Sequence, residues 1–207
     1  MPPGAELWKT LRDIFYPAGY DIIRSTFPED APKVVIQSAF RGAEDFRGYM
    51  DDKSGVFLDW HEYHCFGGWN ALADIPDKGW PTHIAITCQW GDPERTLPLV
   101  VGEWSLAVTD CQQYLSYPGY GDPYKHEASA EACKYYNGDF PNYPEDYKDF
   151  LRTYFLAQTQ RYQTQGNGWF FWTAKTENNC GGAEWDFLYL LSTGLIPDLC
   201  EKPAVCP

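Results

Sequence analysis

The sequence is short of positive charge. Sixteen Lys and Arg stand against 29 Asp and Glu, a net charge of −13 over 207 residues. Nucleic acids and anionic membrane surfaces are recognised through a basic footprint, so this balance argues against both as partners. No apolar run is long enough to cross a bilayer. The seven cysteines contain no C-x-x-C pair, the spacing a zinc site needs, so neither a metal nor a cofactor is expected. The Gly-x-Ser-x-Gly elbow is absent around Trp104-Ser105, which removes a serine nucleophile there. His61-Glu62-Tyr63-His64 does not make a metalloprotease, because that motif sets its two histidines four apart on a helix.

What is abundant is aromatic surface: 17% of residues, with nine Trp and fifteen Tyr. Such rings suit a site that stacks on a flat, hydroxylated, neutral ligand such as a sugar; the plainer reading is an aromatic-rich core. The cysteines lie among Gly-, Pro- and Tyr-rich loops, which favours disulfides and an oxidising compartment. Met1-Pro2-Pro3-Gly4 runs straight into a helical pattern with no apolar signal-peptide core, so either the information for secretion lies upstream, the favoured expectation, or the protein is cytosolic with reduced thiols.

Leu97-Pro98-Leu99-Val100-Val101-Gly102-Glu103-Trp104-Ser105 is the stretch on which the rest turns. A continuous β-branched run reads as a strand covered on both faces. The carboxylate at its exit stands where α/β barrels keep their chemistry. Glu103 is therefore the candidate catalytic carboxylate, with a rim ion pair as the alternative. Gly102 before it permits close backbone approach.

Along the chain, Leu7, Leu11, Ile14, Phe15, Ala18, Ile22 and Ile23 follow helical spacing, with Pro17 and Gly19 expected to kink or interrupt the helix. Strands are expected from Val34 to about Phe40, from Val56 through His64, over 97–103 and over 168–173. Trp69 to Pro81 reads as a loop, Thr82 to Trp90 and Glu145 to Thr164 as helices, and Lys175 to Asp186 as a polar loop before a short segment from Phe187 to Leu191. Residues 110–144 form a long Tyr/Gly/Pro-rich loop. Four strands, each followed by a helical pattern, give an α/β fold with a largely parallel sheet in one domain, 1–207. Four such units are half of an eight-unit barrel, which needs ~250 residues.

Asp59, His61 and Tyr63 fall on one face of their strand, a polar column that is costly to bury unless its members bond to each other or to a ligand. Trp172, at the end of the last expected strand, is a candidate sugar floor. Glu177 and Glu184 read as loop-ordering or solvated carboxylates.

Four segments together resemble the exo-β-1,3-glucanases of glycoside hydrolase family 5, retaining TIM-barrel enzymes. They are Tyr20-Asp21-Ile22-Ile23-Arg24; Asp59-x-His61-x-Tyr63; Val101-Gly102-Glu103-Trp104-Ser105 with Thr109-Asp110-Cys111; and Gly168-Trp169-x-Phe171-Trp172-Thr173-x-Lys175-Thr176-Glu177-Asn178 followed by Glu184-Trp185. The resemblance implies strands five to eight of a (β/α)8 barrel and a β-glucan or oligosaccharide substrate. It implies Glu103 as nucleophile, His61 and Tyr63 as hydrogen-bonding partners of nucleophile and sugar, and Trp172, Trp104, Glu177 and Asn178 as substrate contacts. It further implies a Cys111–Cys133 bridge and a Cys88–Cys206 bridge, leaves Cys180–Cys200 as a guess and Cys65 unpaired, and suggests an extracellular or cell-wall location. Ala174 stands where that family usually has Trp. The family's Asn-Glu-Pro motif, which carries the acid/base glutamate, does not occur in the sequence. The expectation is thus a fragment missing the N-terminal half of its barrel and inactive by itself. The rivals are another β-glucanase specificity, a non-catalytic glucan-binding protein, and a pseudoenzyme completed by a second chain.

Overall fold

The computed structural model describes residues 4–28, 32–66, 76–112, 115, 140–177, 182–197 and 204–207, the side chains of 76–78 excepted. Most of the 110–144 loop lies outside these residues. The chain groups into two compact units. One comprises Met1–His61, Gly91–Gly102 and Tyr162–Trp169; the other comprises Glu62–Trp90, Glu103–Arg161 and Phe170–Pro207.

The first unit is built on a sheet. Strands β1 (Val34–Gln37), β2 (Val56–Glu62) and β3 (Leu99–Trp104) lie in the order β1-β2-β3. β1 and β2 are parallel, with Val34 opposite Val56 and Gln37 opposite Asp59. Leu58 N donates to Pro98 O at 2.8 Å on the other side of β2. Val34, Ile36, Val56, Leu58, Leu99 and Val101 are all buried, the apolar, largely β-branched side chains of the strand runs. The α/β class holds. The strand count does not: of the fourth expected strand, only Trp169 pairs, bridging to Val101, with Val101 N donating to Gly168 O at 3.1 Å. Around the bridge the two segments stay bonded, Asn167 N donating to Leu99 O at 2.7 Å and Trp172 N to Trp104 O at 2.8 Å, but without the regular repeat of a ladder, so the described residues form three strands and one bridged segment.

The N-terminal helix runs unbroken from α1 (Ala5–Thr10) through a π-helical turn (Leu11–Phe15) into α2 (Tyr16–Thr26). Pro17 does not break it, contrary to expectation. The wider turn just before Pro17 places the proline in the first turn of the following α-helical segment, where its missing N–H costs little. The apolar stripe also faces the other way from the usual rule: Leu7 is 56%, Ile14 63%, Phe15 64% and Ile22 69% exposed. The docked face is aromatic and polar instead. Trp8 packs edge-on against Phe46 at 5.4 Å, Tyr16 Oη donates to Gln37 O at 2.8 Å and Tyr20 Oη to Ser54 O at 3.1 Å.

The second unit is helical. α3 (Pro76–Gln89) starts well inside the expected 69–81 loop and carries Pro81 within it. Packing overrides propensity there: Trp80 stacks on Phe150 at 5.2 Å and lies 5.4 Å from Tyr147. Both partners belong to α4 (Glu145–Thr164), which has the bounds the sequence indicates. The stack continues along α4 from Phe150 to Tyr154 at 5.3 Å, and from Tyr154 to His64 at 5.6 Å. α5 (Phe187–Ser192) is capped by Asp186, which accepts from Tyr189 N at 2.8 Å. The Cys88–Cys206 disulfide joins α3 to the C-terminal residues. Gln160 of α4 holds the same segment, accepting from Val205 N and Cys206 N at 2.9 and 3.0 Å.

Candidate active site

Glu103 sits one residue before the end of β3, half-buried, next to the fully buried Trp104. Tyr63, one residue past β2, donates its Oη to Glu103 Oε2 at 3.0 Å. Burial first, then the charge and hydrogen bond of Glu103, push the Tyr63 phenol above its ordinary value. The phenol therefore stays protonated at any physiological pH and can only donate to the carboxylate. That bond fixes the orientation of the Glu103 oxygens. The Tyr63 ring is in turn wedged between Phe66, edge-on at 5.7 Å, and Trp185, tilted at 5.6 Å.

Trp172 is 51% exposed, and its backbone N–H donates to Trp104 O at 2.8 Å, which ties the stretch of chain carrying the indole to the end of β3. The Trp172–Thr173 peptide is cis. Phe170, two residues earlier, is 67% exposed. Glu177 is exposed and Asn178 lies outside the described residues. Trp104, expected to touch sugar, is instead core. It has no exposed surface and packs against Phe171 at 4.9 Å and Phe155 at 5.6 Å.

In the first unit, His61 Nε2 lies 3.0 Å from Asp59 Oδ2. With Nε2–H donating to that carboxylate, Nδ1 becomes the acceptor nitrogen. Gly102 is needed beside this pair, since a Cβ there would collide with the Asp59 carboxylate. Phe40 meets the His61 ring edge-on at 6.4 Å and is more than half exposed. Phe40 and the preceding Ala39 both adopt left-handed backbone, φ 57° and 55°, a strain that side chains other than glycine hold only where the surroundings enforce it.

Glu184 is not solvated. It is buried on a 3-10 turn (Ala183–Trp185) and accepts from Tyr147 Oη at 2.6 Å and Tyr143 Oη at 2.9 Å. Burial pushes its carboxyl up to about 6, against the pull of the two phenols. A second buried polar pair, His64 and His83, meets Nδ1 to Nδ1 at 3.1 Å, with His64 Nε2 facing Glu62 Oε1 at 3.5 Å. Burial, and then His64, lower His83 to about 3.

Of the expected bridges, Cys88–Cys206 forms. Cys111 is also disulfide-bonded. Cys133, Cys180 and Cys200 lie outside the described residues, and Cys65 is a buried free thiol. Among the described residues no cluster of three His, Cys, Asp or Glu side chains could hold a metal ion, and no helix is long and apolar enough to cross a membrane. Sequence reasoning passed over Phe40, Phe66 and the burial of Glu184. An aromatic just beyond a strand carrying polar site residues was the available signal for the first two.

No family model matches the sequence. Among curated proteins, it is 33% identical over 195 residues to the glucan 1,3-beta-glucosidase of Lachancea kluyveri, covering 88% of this chain and 42% of that protein. It is 31% identical over 206 residues to the glucan 1,3-beta-glucosidase of Yarrowia lipolytica, covering 95% and 46%. With the probable glucan 1,3-beta-glucosidase A of Aspergillus fumigatus it shares 33% identity over 205 residues, covering 94% and 45%. The chain thus spans less than half the length of these curated relatives. Two solved structures, AoRut and the rutinosidase from Aspergillus niger, align with TM-scores of 0.49 and 0.48 at 18% and 15% identity, over 88% and 87% of this chain and 41% and 43% of theirs. That likeness is too low to add to the argument.

Proposed function

Over the 42–46% of their length that it spans, the chain belongs to the family of the glucan 1,3-beta-glucosidases, and on that premise we propose that it is the nucleophile-bearing portion of a retaining β-1,3-glucan hydrolase. The observation that carries the proposal is the Tyr63–Glu103 hydrogen bond at the exit of β3. Glu103 attacks the anomeric carbon and forms a glycosyl-enzyme; water then releases glucose. Tyr63 holds the attacking carboxylate, and the half-exposed Trp172 offers its face to the apolar side of the sugar ring. His61, oriented by Asp59, keeps the hydrogen-bonding role that the resemblance implies.

A double displacement needs a second carboxyl ~5–5.5 Å away to protonate the leaving oxygen. The sequence contains no Asn-Glu-Pro to supply it, so the proposal assigns the acid/base to residues beyond this sequence. The exposed face of α1–α2 and the outer edge of β1, which has no strand partner among the described residues and where Val35 is 55% exposed, support a covering segment of that kind. Three described disulfide-bonded cysteines, Cys88, Cys206 and Cys111, support an oxidising, extracellular or cell-wall setting. The exposed Phe170 and Trp172 favour one rival, a glucan-binding protein without catalysis.

The test uses an aryl β-glucoside whose phenolate leaves without protonation, which removes the need for the acid. The chain should release the phenolate, and Glu103→Gln should lower that release by on the order of 10³-fold or more. Equal release from both proteins refutes the nucleophile assignment. Binding of laminari-oligosaccharides with no release from either favours the rival.

A further inference from the structure

The turn Ala183–Trp185 is fixed from every side. Trp185 N donates to Gly182 O at 3.1 Å, and Leu106 N donates to Glu184 O at 3.1 Å. The Glu184 carboxylate accepts from both Tyr143 and Tyr147. Gly182 leads into the turn at φ 158°, a backbone side chains rarely adopt, and a Cβ there would also meet Gln112 Oε1 at 2.5 Å and Trp185 Cδ1 at 3.1 Å. Just after it, Asp186 Oδ2 accepts from Thr176 N at 2.8 Å and Thr176 Oγ1 at 3.0 Å.

The turn touches the candidate site at two places. The Trp185 ring lies 5.6 Å from that of Tyr63, inside a small cluster with Cys65, Ala107 and Leu115. Its carbonyl accepts from Thr173 N at 2.8 Å, one residue past Trp172. We propose that Trp185 is a positioning residue for the reaction: it sets the Tyr63 ring so that the phenol meets Glu103, with Glu184 as the buried lock that holds the turn. This rests on the reading of Glu103 as nucleophile. The physical reason is that a tyrosine donor is only as well aimed as its ring, and the ring has two degrees of freedom to lose. Phe66, 43% exposed, constrains it from one side alone. The buried Trp185 supplies the fixed wall.

The test has two independent readouts on Trp185→Leu, Trp185→Phe and Glu184→Ala. The first is the rate of trapping by an activated 2-deoxy-2-fluoro-β-glucoside, resolved into a binding constant and a first-order rate. Trp185→Leu should cut the first-order rate roughly 10- to 100-fold, the worth of a misaimed hydrogen bond to a charged group, and leave binding within about twofold. Trp185→Phe, which keeps an aromatic wall, should recover most of the rate; Glu184→Ala should fall between them. The second readout is the Tyr63 Cζ resonance by carbon NMR, assigned with Tyr63→Phe and shifted in Glu103→Gln. It should move in Trp185→Leu and Glu184→Ala, and by less in Trp185→Phe. If Trp185→Leu does not fold, a shift in Trp185→Phe is the deciding result. An unmoved Tyr63 resonance in the folded variants, or a loss confined to binding, overturns the proposal. A moved resonance in a wild-type protein that is never trapped at Glu103 refutes the nucleophile reading and leaves the positioning contact standing.

Discussion

Lowering the pH should destabilise the helical unit through His83. The side chain is fully buried against His64, Tyr154 and Phe150, with ring centroids at 5.2, 6.1 and 6.5 Å. A hydrogen bond between the two Nδ1 atoms at 3.1 Å needs one of them unprotonated to accept, and burial keeps the His83 ring neutral. In the folded chain His83 is lowered to about 3 from 6.5. The folded state therefore binds fewer protons than the unfolded chain across that interval. Its stability is fully present above about pH 6.5 and is lost as pH falls toward about 3. From neutral pH down to about pH 4.5 the loss is about 3 kcal/mol, two pH units at 1.36 kcal/mol each. Glu184 acts in the opposite sense. Raised from 4.5 to about 6, it contributes stability below about pH 4.5 that is lost as pH rises through about 6, roughly 2 kcal/mol in all. The wild-type curve alone thus mixes the two, and the comparison must be with His83→Gln. Urea unfolding at neutral pH and at about pH 4.5 measures both proteins. The variant starts about 1–3 kcal/mol less stable from lost packing and the lost His83–His64 hydrogen bond. Its pH dependence should nonetheless be smaller than that of the wild type by about 3 kcal/mol. Identical pH dependence in the two proteins refutes the account of the buried pair.

Four further outcomes are expected. Glu184→Gln should remove that group's share of the pH dependence, so that the stability of the variant minus that of the wild type rises by roughly 2 kcal/mol between about pH 4.5 and 6 in the same urea experiment; a flat difference curve assigns the titration elsewhere. Reducing Cys88–Cys206, or replacing both cysteines by Ala, opens a loop of 118 residues and should cost about 5 kcal/mol on the loop-entropy relation, measured as a drop in urea midpoint. Tyr63→Phe should keep the fold, since the ring packing survives, while slowing glycosylation of Glu103 roughly 10- to 100-fold in stopped-flow phenolate release. Leu151→Ala, in the fully buried face of α4, should cost about 2–5 kcal/mol by chemical denaturation.

What the sequence made legible follows from how local each signal is. The bounds of α4 and the run of β3 with its terminal Glu103 are written in nearest neighbours, and both stand. Pairing Tyr63 with Glu103 lay further off: the forty residues between them give no local cue, and only the resemblance brought the two together. The failures have the same origin. Pro17 and Pro81 read as helix breakers by local rule, yet a π turn and the Trp80 stack absorb them. The apolar stripe Leu7, Ile14, Phe15 and Ile22 promised a core-facing side, and the aromatic side docked instead because Tyr16 and Tyr20 reach backbone carbonyls. Glu184 looked solvated because its two phenolic partners, Tyr143 and Tyr147, are about forty residues away.

Mass spectrometry of the peptide containing Glu103, after incubation with an activated 2-deoxy-2-fluoro-β-glucoside, tests the central claim most directly. The account predicts one fluoroglucosyl group esterified to Glu103, absent in Glu103→Gln and formed more slowly in Tyr63→Phe. A label on any other carboxylate, or an unlabelled protein that still releases the leaving group, contradicts it.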